Sequence, residues 1–191
     1  MHSSRQQLGL LIALVAVAVL ITSVRMQTME KHSTPNQIDE RRLVIRKGKR
    51  TLDVYDGTKL VKTYTVVLGF APDGDKEKEG DGKTPEGEFY VFTKNAKSRF
   101  HLSLGISYPA KDDASRGLRA GMITRTQHDE ILNAIDSREM PPQKTALGGE
   151  IYIHGGGTDR DWTWGCVAMS NGEIEELFAT IPVGTPVTIL P

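Results

Sequence analysis

The chain has 191 residues, with 24 Lys+Arg against 24 Asp+Glu and a formal net charge of zero. That is enough for one domain with a proper core, and the balanced charge offers no basic excess to attract nucleic acid. A single cysteine excludes an intrachain disulfide framework and a cysteine-rich zinc site.

Leu8 to Val24 is an apolar run of 17 residues without a charge, with Arg5 before it and Arg25 after it. A secretory signal has an apolar region of about 7–15 residues followed by a small-x-small cleavage site. This run is longer, and Ala16-Val-Ala18 lies inside it. Its length suits a membrane span. Residues 1–24 are therefore expected to be a single-pass signal anchor, a transmembrane helix with about seven residues on the cytoplasmic side. Cleavage and secretion is the alternative. Either way the remainder leaves the cytoplasm. Residues 25–41 are polar, contain Pro35 and show no apolar period, so they read as a tether.

From Arg42 the pattern becomes that of strands. Leu43 to Ile45, Thr51 to Tyr55 and Leu60 to Leu68 are β-branched or aromatic runs, broken at Gly48 and at Asp56-Gly57. Glu88 to Thr93 and His101 to Ile106 continue the meander. Ile131, Leu132 and Ile135 predict a helix over 126–137. Glu150 to His154 reads as a strand, Ser170-Asn-Gly-Glu173 as a capping box before a helix over 173–180, and Pro186 to Leu190 as a last strand. No parallel βαβ unit is indicated. The expected fold is mainly β, a single sandwich or partly closed barrel over 42–191 with one or two short helices.

The loop from Ala71 to Glu88 carries two false leads. Gly82-Lys83-Thr84 ends like a phosphate-binding loop, but the glycine required five places earlier is Glu77. Asp75, Glu77, Glu79, Gly80 and Glu86 fall at EF-hand positions, but the flanks are strands and Pro85 interrupts the loop. A solvated loop ending in a Thr84-Pro-Glu-Gly87 turn is the expectation.

Ile151-Tyr-Ile-His154-Gly-Gly-Gly and Thr163-Trp-Gly-Cys166-Val-Ala-Met169 hold the chemistry. A thiol needs a base to attack a carbonyl at neutral pH, and an imidazole can serve. Four glycines (Gly155, Gly156, Gly157 and Gly165) let the chain fold back over the intervening residues. Cys166 is the candidate nucleophile and His154 the candidate general base and acid. The group orienting His154 is left open among Asp159, Asp161 and a backbone carbonyl of the glycine turn. Gly165 allows the amides of Trp164 to Cys166 to turn inward as oxyanion donors. Trp162 and Trp164 alternate about Thr163, so one can face a cleft and stack on a glycan or peptide. His101 opens a strand and is a further candidate for the cleft.

Together with Gly80-Asp-Gly-Lys-Thr84-Pro-Glu-Gly87 and Leu104-Gly-Ile-Ser-Tyr108-Pro109, these segments resemble the L,D-transpeptidase (YkuD-type) catalytic domain of bacterial cell-wall enzymes, over about residues 42–191. The resemblance implies attack by Cys166 on the amide between the L- and D-centres of a peptidoglycan stem tetrapeptide. It also implies His154 as proton carrier, and substrate contacts at Gly155, Gly156, Thr163, Tyr108 and Trp162. An amine acceptor would resolve the thioester, giving 3–3 cross-links or protein–peptidoglycan links, with no metal or organic cofactor. The placement implied is a bacterial inner membrane with the domain in the periplasm. Many members carry Ser/Thr-His before the Gly-Cys and an arginine two places after it. Here Trp164 and Ala168 stand there, which removes a bidentate carboxylate clamp. The Gly-Cys-Val-Ala-Met form is more similar to the YafK-like branch, which includes a hydrolase of peptidoglycan–lipoprotein links. The alternatives are thus a thiol hydrolase or amidase acting on stems or on an outer-membrane lipoprotein linkage, and a non-catalytic peptidoglycan-binding domain.

Overall fold

The computed structural model describes residues 40–191. The expected anchor and nearly all of the tether lie outside the described residues. No helix among the described residues is long and apolar enough to cross a membrane.

β1 (Arg41–Arg46), β2 (Thr51–Asp56) and β3 (Lys59–Thr65) form the expected meander. Leu43, Ile45 and Leu52 alternate inward and are fully buried. Arg50 and Gly57, both in the left-handed region at φ 53° and 56°, turn the chain between them. β4 (Gly87–Ser98) and β5 (His101–Ile106) make a long hairpin, followed by β6 (Tyr152–His154), β7 (Val167–Ala168) and β8 (Pro186–Leu190). The eight strands run in the order β3-β2-β1-β8-β4-β5-β6-β7. The pairs β1–β8 and β6–β7 are parallel and the others antiparallel.

The far ends of this order meet. The chain leaving β3 bridges Val67 to Ala168 and Gly69 to Thr163, beside β7. The apolar run expected as one strand to Leu68 therefore divides at Thr65. Its first part pairs with β2, and its continuation seals the sheet against the segment that holds Cys166. The main core, which includes Leu43, Ile45, Leu104, Ile106, Ile153, Val167 and Met169, lies within this curl.

Three α-helices are present among the described residues, where one or two were expected. α2 (Arg125–Asp136) and α3 (Asn171–Thr180) match the sequence signals, with Thr124–Gln127 and Ser170–Glu173 capping boxes. α1 (Lys111–Arg119) was not anticipated because KDDASRGLR has almost no apolar period. Its buried face is built of small residues instead. A Cβ at Gly117 would come within 2.7 Å of Leu147, so α1 docks closely against the second core cluster of Ala114, Ile123, Ile131 and Leu147.

The loop between β3 and β4 is not a solvated one. Lys47, only 3% exposed, donates to the carbonyls of Gly74 and Thr84 and to Glu86. Lys76, 2% exposed, donates to Asp81 and to the Lys78 carbonyl. Asp81 also accepts the amides of Glu77, Lys78 and Lys83. Arg116 of α1 reaches Asp75 and the Lys76 carbonyl. Of the acidic residues that imitated an EF-hand, Asp75 and Glu86 thus accept bonds from the protein's own donors.

Burial pushes the Asp81 carboxyl up, but the Lys76 ammonium and the three amides outweigh it and bring it down to about 2. A depressed carboxyl contributes stability above its unfolded value, lost as pH falls through the folded one. Asp81→Asn is expected to lower the melting temperature at neutral pH and to flatten the stability loss of the parent between about pH 4 and 2. Thermal melts across that range check it; parallel acid limbs for the two proteins would contradict it.

Candidate active site

Cys166 follows Gly165 and precedes β7, and His154 ends β6. The two strands pair in parallel, with Ile153 opposite Val167 and His154 opposite Ala168. Cys166 therefore falls beside Tyr152, and Tyr152 and His154 share a face by the strand's period of two. Cys166 and His154 both line an open cleft of about 1270 Å³. Its walls include the loop at Lys76, Glu79 and Gly80, the 143–150 segment, and the β4–β5 hairpin.

The histidine's tautomer follows from one contact. Nδ1 lies 2.5 Å from the Gly155 carbonyl, which can only accept, so Nδ1 carries the proton and Nε2 keeps its lone pair. The orienting group is thus a backbone carbonyl. Asp159 is exposed. Asp161 is occupied elsewhere, taking a two-pronged bond from Arg50 and the amide of Leu68 at 2.8 Å. The ring itself is 2% exposed. Phe100 stacks on it at 4.6 Å and Trp162 meets it edge-on at 5.6 Å. Burial lowers the imidazole from its ordinary value, the Gly155 bond partly opposes this, and the charge of Arg99 lowers it further.

The thiol lies in a different polar setting. Sγ accepts the Tyr152 amide at 3.4 Å and donates to the Glu150 carbonyl at 3.5 Å. Glu150 is itself held at a positive φ of 55°, with its amide bonded to Gln143. No hydrogen bond joins Cys166 to His154. Burial pushes the thiol up to about 11, against the Tyr152 amide and the cations Lys76 and Arg99, which lower it. A depressed imidazole and a raised thiol together describe a neutral pair at rest. In such a pair an attack by the sulfur would have to move the proton in the same step.

The segment between them is tightly bound. Thr163 is 3% exposed; its hydroxyl donates to the Cys166 carbonyl at 2.7 Å and accepts the Gly165 amide at 3.2 Å. Gly165 was expected to offer an oxyanion amide, and that amide is already bonded. The amides of Trp164 and Cys166 have no hydrogen-bond partner among the described residues. Trp162 donates its indole N–H to Gly157 and lines the cleft. Trp164 is 70% exposed and pairs edge-on with Phe70 at 4.9 Å.

Other expected contacts fall elsewhere. Gly155 is buried against Asn171 and the Phe100 carbonyl, and Gly156 donates to Asn171 at 2.9 Å. Neither lines the cleft, so their part is to shape the turn below His154. Tyr108 is fully buried in the core, donating to the Leu147 carbonyl at 2.9 Å, and is not a cleft residue. His101 turns away to Glu175 of α3 at 2.6 Å. Phe100, Arg99 and the Tyr152 amide were not foreseen. They reach the site through the pairing of Ser103 with His154 and of β6 with β7. No spacing rule in the sequence reports those pairings.

A curled, mainly antiparallel sheet with one cysteine and a carbonyl-tethered histidine at a shared cleft places this chain among β domains that carry a Cys–His site. The chain belongs to the L,D-transpeptidase catalytic-domain (YkuD) family, whose model matches residues 40–189. YqjB of Bacillus subtilis (strain 168), provisionally named an L,D-transpeptidase, is 29% identical over 154 residues, covering 77% of this chain and 69% of that protein. YafK of Escherichia coli (strain K12), named in the same way, is 26% identical over 138 residues, covering 69% of this chain and 43% of that protein. Among solved structures, the helical cell shape determining protein Pgp2 of Campylobacter jejuni aligns with a TM-score of 0.53 at 22% identity, over 78% of this chain and 46% of that one. Bd1075 of Bdellovibrio bacteriovorus aligns at 0.51 and 21%, over 83% and 50%. These two likenesses concern the fold. The chain spans less than half the length of YafK and of Pgp2.

With a thiol near 11, the thiolate fraction at pH 7 is on the order of 10⁻⁴. Iodoacetamide labelling of Cys166 is expected to be slow at neutral pH and still rising above about pH 9.5. A plateau between about pH 6 and 8 would instead establish a preformed thiolate–imidazolium pair. Gly165→Ala is expected to lower labelling as well as activity. At φ 121° its Cβ would lie 2.6 Å from the Lys83 carbonyl oxygen, so the segment holding Cys166 has to shift.

Proposed function

We propose that this domain is a cysteine L,D-transpeptidase acting on peptidoglycan stem tetrapeptides, using Cys166 as nucleophile and His154 as proton carrier. The observation that carries the reading is the tether of His154 Nδ1 to Gly155, which leaves Nε2 bare in the cleft that holds Cys166.

Attack joins Sγ to the amide carbon between the L- and D-centres while the thiol proton passes to Nε2. The resulting oxyanion takes the unbonded Cys166 amide, with the Trp164 amide nearby. Each such donor is worth roughly 2.7–4 kcal/mol. Collapse of the intermediate returns the proton to the leaving D-amino acid and leaves a thioester. An acceptor amine then gives up a proton to Nε2, forms the new amide and frees the thiol. Water in place of the amine would make the same site a hydrolase of stems or of stem–protein links. The Thr163 bond to the Cys166 carbonyl and the stacking of Phe100 on His154 keep both groups in place through the cycle. The exposed Phe70–Trp164 pair offers a face for glycan or peptide. Residues 8–24 would hold the domain at the inner membrane, facing the periplasm.

The full-length protein and Cys166→Ala are to be incubated with disaccharide-tetrapeptides, cross-linked dimers and lipoprotein-linked muropeptides, with products read by mass spectrometry. A 3–3 dimer or D-amino-acid exchange, absent in the variant, is the expected result. Released stems or lipoprotein carrying a solvent oxygen would make it a hydrolase. Equal products from the parent and Cys166→Ala would overturn the thiol mechanism. His154→Gln is expected to lose at least about 100-fold in rate, the usual worth of a general base.

A further inference from the structure

Ala168 stands where the family resemblance expects an arginine, so the cleft lacks a carboxylate clamp from that strand. A guanidinium reaches the cleft from the β4–β5 hairpin instead. The β4–β5 hairpin is closed by Ser98 facing His101, with Arg99 and Phe100 as its two-residue tip. The tip is braced: Ser98 Oγ accepts the Phe100 amide at 3.1 Å, and His101 is bonded to Glu175 of α3. Phe100 lies on the His154 ring at 4.6 Å, and the Arg99 guanidinium lies over Phe100, 4.7 Å from its centroid. Guanidinium, phenyl and imidazole therefore succeed one another along one edge of the cleft.

Arg99 is exposed, lines the cleft and forms no ion pair among the described residues. Of the other cations there, Lys76 is bonded to Asp81, while Lys97 and Lys144 are single-point charges on flexible stems. The acidic groups Glu79 and Glu150 also line the cleft, on the loop that holds Lys76 and the segment that holds Lys144. The Arg99 charge acts on both reacting groups, favouring thiolate at Cys166 and disfavouring imidazolium at His154. An arginine stacked on an aromatic ring keeps its planar fork of donors free, and that fork matches a carboxylate bidentately.

We propose that Arg99 is the specificity residue of this cleft, holding the terminal carboxylate of the D-amino acid next to the scissile amide. The identity of the carboxylate rests on the acyl-transfer reading above; the anion site itself does not. Held there, the leaving residue is aligned by the same stack that positions His154. A tetrapeptide whose terminal carboxylate is capped as an amide forfeits the contact.

The test uses the full-length protein, whose one cysteine makes alkylation specific to Cys166. Iodoacetate carries a carboxylate beside its reactive carbon; iodoacetamide is its neutral counterpart. The ratio of their rate constants is expected to fall about fivefold in Arg99→Gln, to be largely kept in Arg99→Lys, and to be unchanged in Lys97→Gln. An unchanged ratio in Arg99→Gln overturns the proposal. A matching fall in Lys97→Gln shows only diffuse attraction and overturns it too. With stem tetrapeptide acid and its terminal amide as substrates, Arg99→Gln is expected to lose most of the parent's preference for the acid, mainly through KM. Turnover with that preference intact leaves transpeptidation standing and removes Arg99. A shifted alkylation ratio without any turnover keeps the anion site and removes its assignment to a D-amino acid.

Discussion

Three stretches of backbone cross within the width of a single Cβ, and the position of Cys166 depends on that crossing. A Cβ on Gly69 would lie 2.0 Å from the Gly82 carbonyl oxygen and 3.1 Å from the Gly165 nitrogen; one on Gly165 would lie 2.6 Å from the Lys83 carbonyl oxygen. Real Cβ atoms do not tolerate such approaches, so glycine is required at both places. The crossing locks the continuation of β3, the pinned loop and the segment that holds Cys166 together. Around it the bonds Gly69 N–H to Thr84, Phe70 N–H to Thr163 and Gly165 N–H to Thr163 leave little freedom. The sheet's end bridges close at this same point. A side chain held by packed backbone gains positional precision that a loop-borne one lacks.

That rigidity bears on the electrostatics. A thiol raised by burial is in its less reactive form, which protects a lone cysteine from indiscriminate oxidation, and an imidazole lowered by burial is uncharged. The lone pair of Nε2 is nevertheless in reserve, because the tautomer is set by a backbone carbonyl and not by a titrating carboxylate. A carboxylate there would raise the imidazole and draw it toward the charged form. The carbonyl holds the ring without adding a charge. Asp161, the obvious candidate by proximity in sequence, instead braces the far end of the same segment through Arg50 and Leu68.

The readability of this chain follows the range of each interaction. Cys166 and His154, which the structure brings to one cleft, stood out because a solitary thiol and a histidine before three glycines are unusual in themselves. α2 and α3 were legible because capping boxes and 3.6-residue periods act over a few residues. α1 was not, because its packing face is Ala114 and Gly117, which carry little hydropathy. Tyr108 was drawn to the site by its place in a motif, yet its burial and its bond to Leu147 make that motif a core signature. Phe100 and Arg99 were invisible because their relation to His154 runs through a cross-strand pairing between segments about fifty residues apart. The 71–86 loop was misread for a related reason. Its acidic residues look solvated until Lys47, from another part of the chain, is known to lie beneath them.

Those buried lysines show what the loop is for. Taking an ammonium out of water is costly, and a buried ion pair seldom adds net stability over a well-packed apolar pair. What Lys47 and Lys76 provide is direction. Lys47 meets acceptors from two ends of the loop, Gly74 on one side and Thr84 and Glu86 on the other, so the loop has one conformation that satisfies it. Lys76 closes the inner turn through Asp81. An apolar filler could match the volume but could not select among loop shapes. Because Lys83 of this loop meets Gly165, while Lys76, Glu79 and Gly80 form the cleft wall, selecting its shape also sets the boundary that a bound peptide would meet. Asp75 and Glu86, which suggested a calcium site, thus help to hold the wall of the cleft that Cys166 lines.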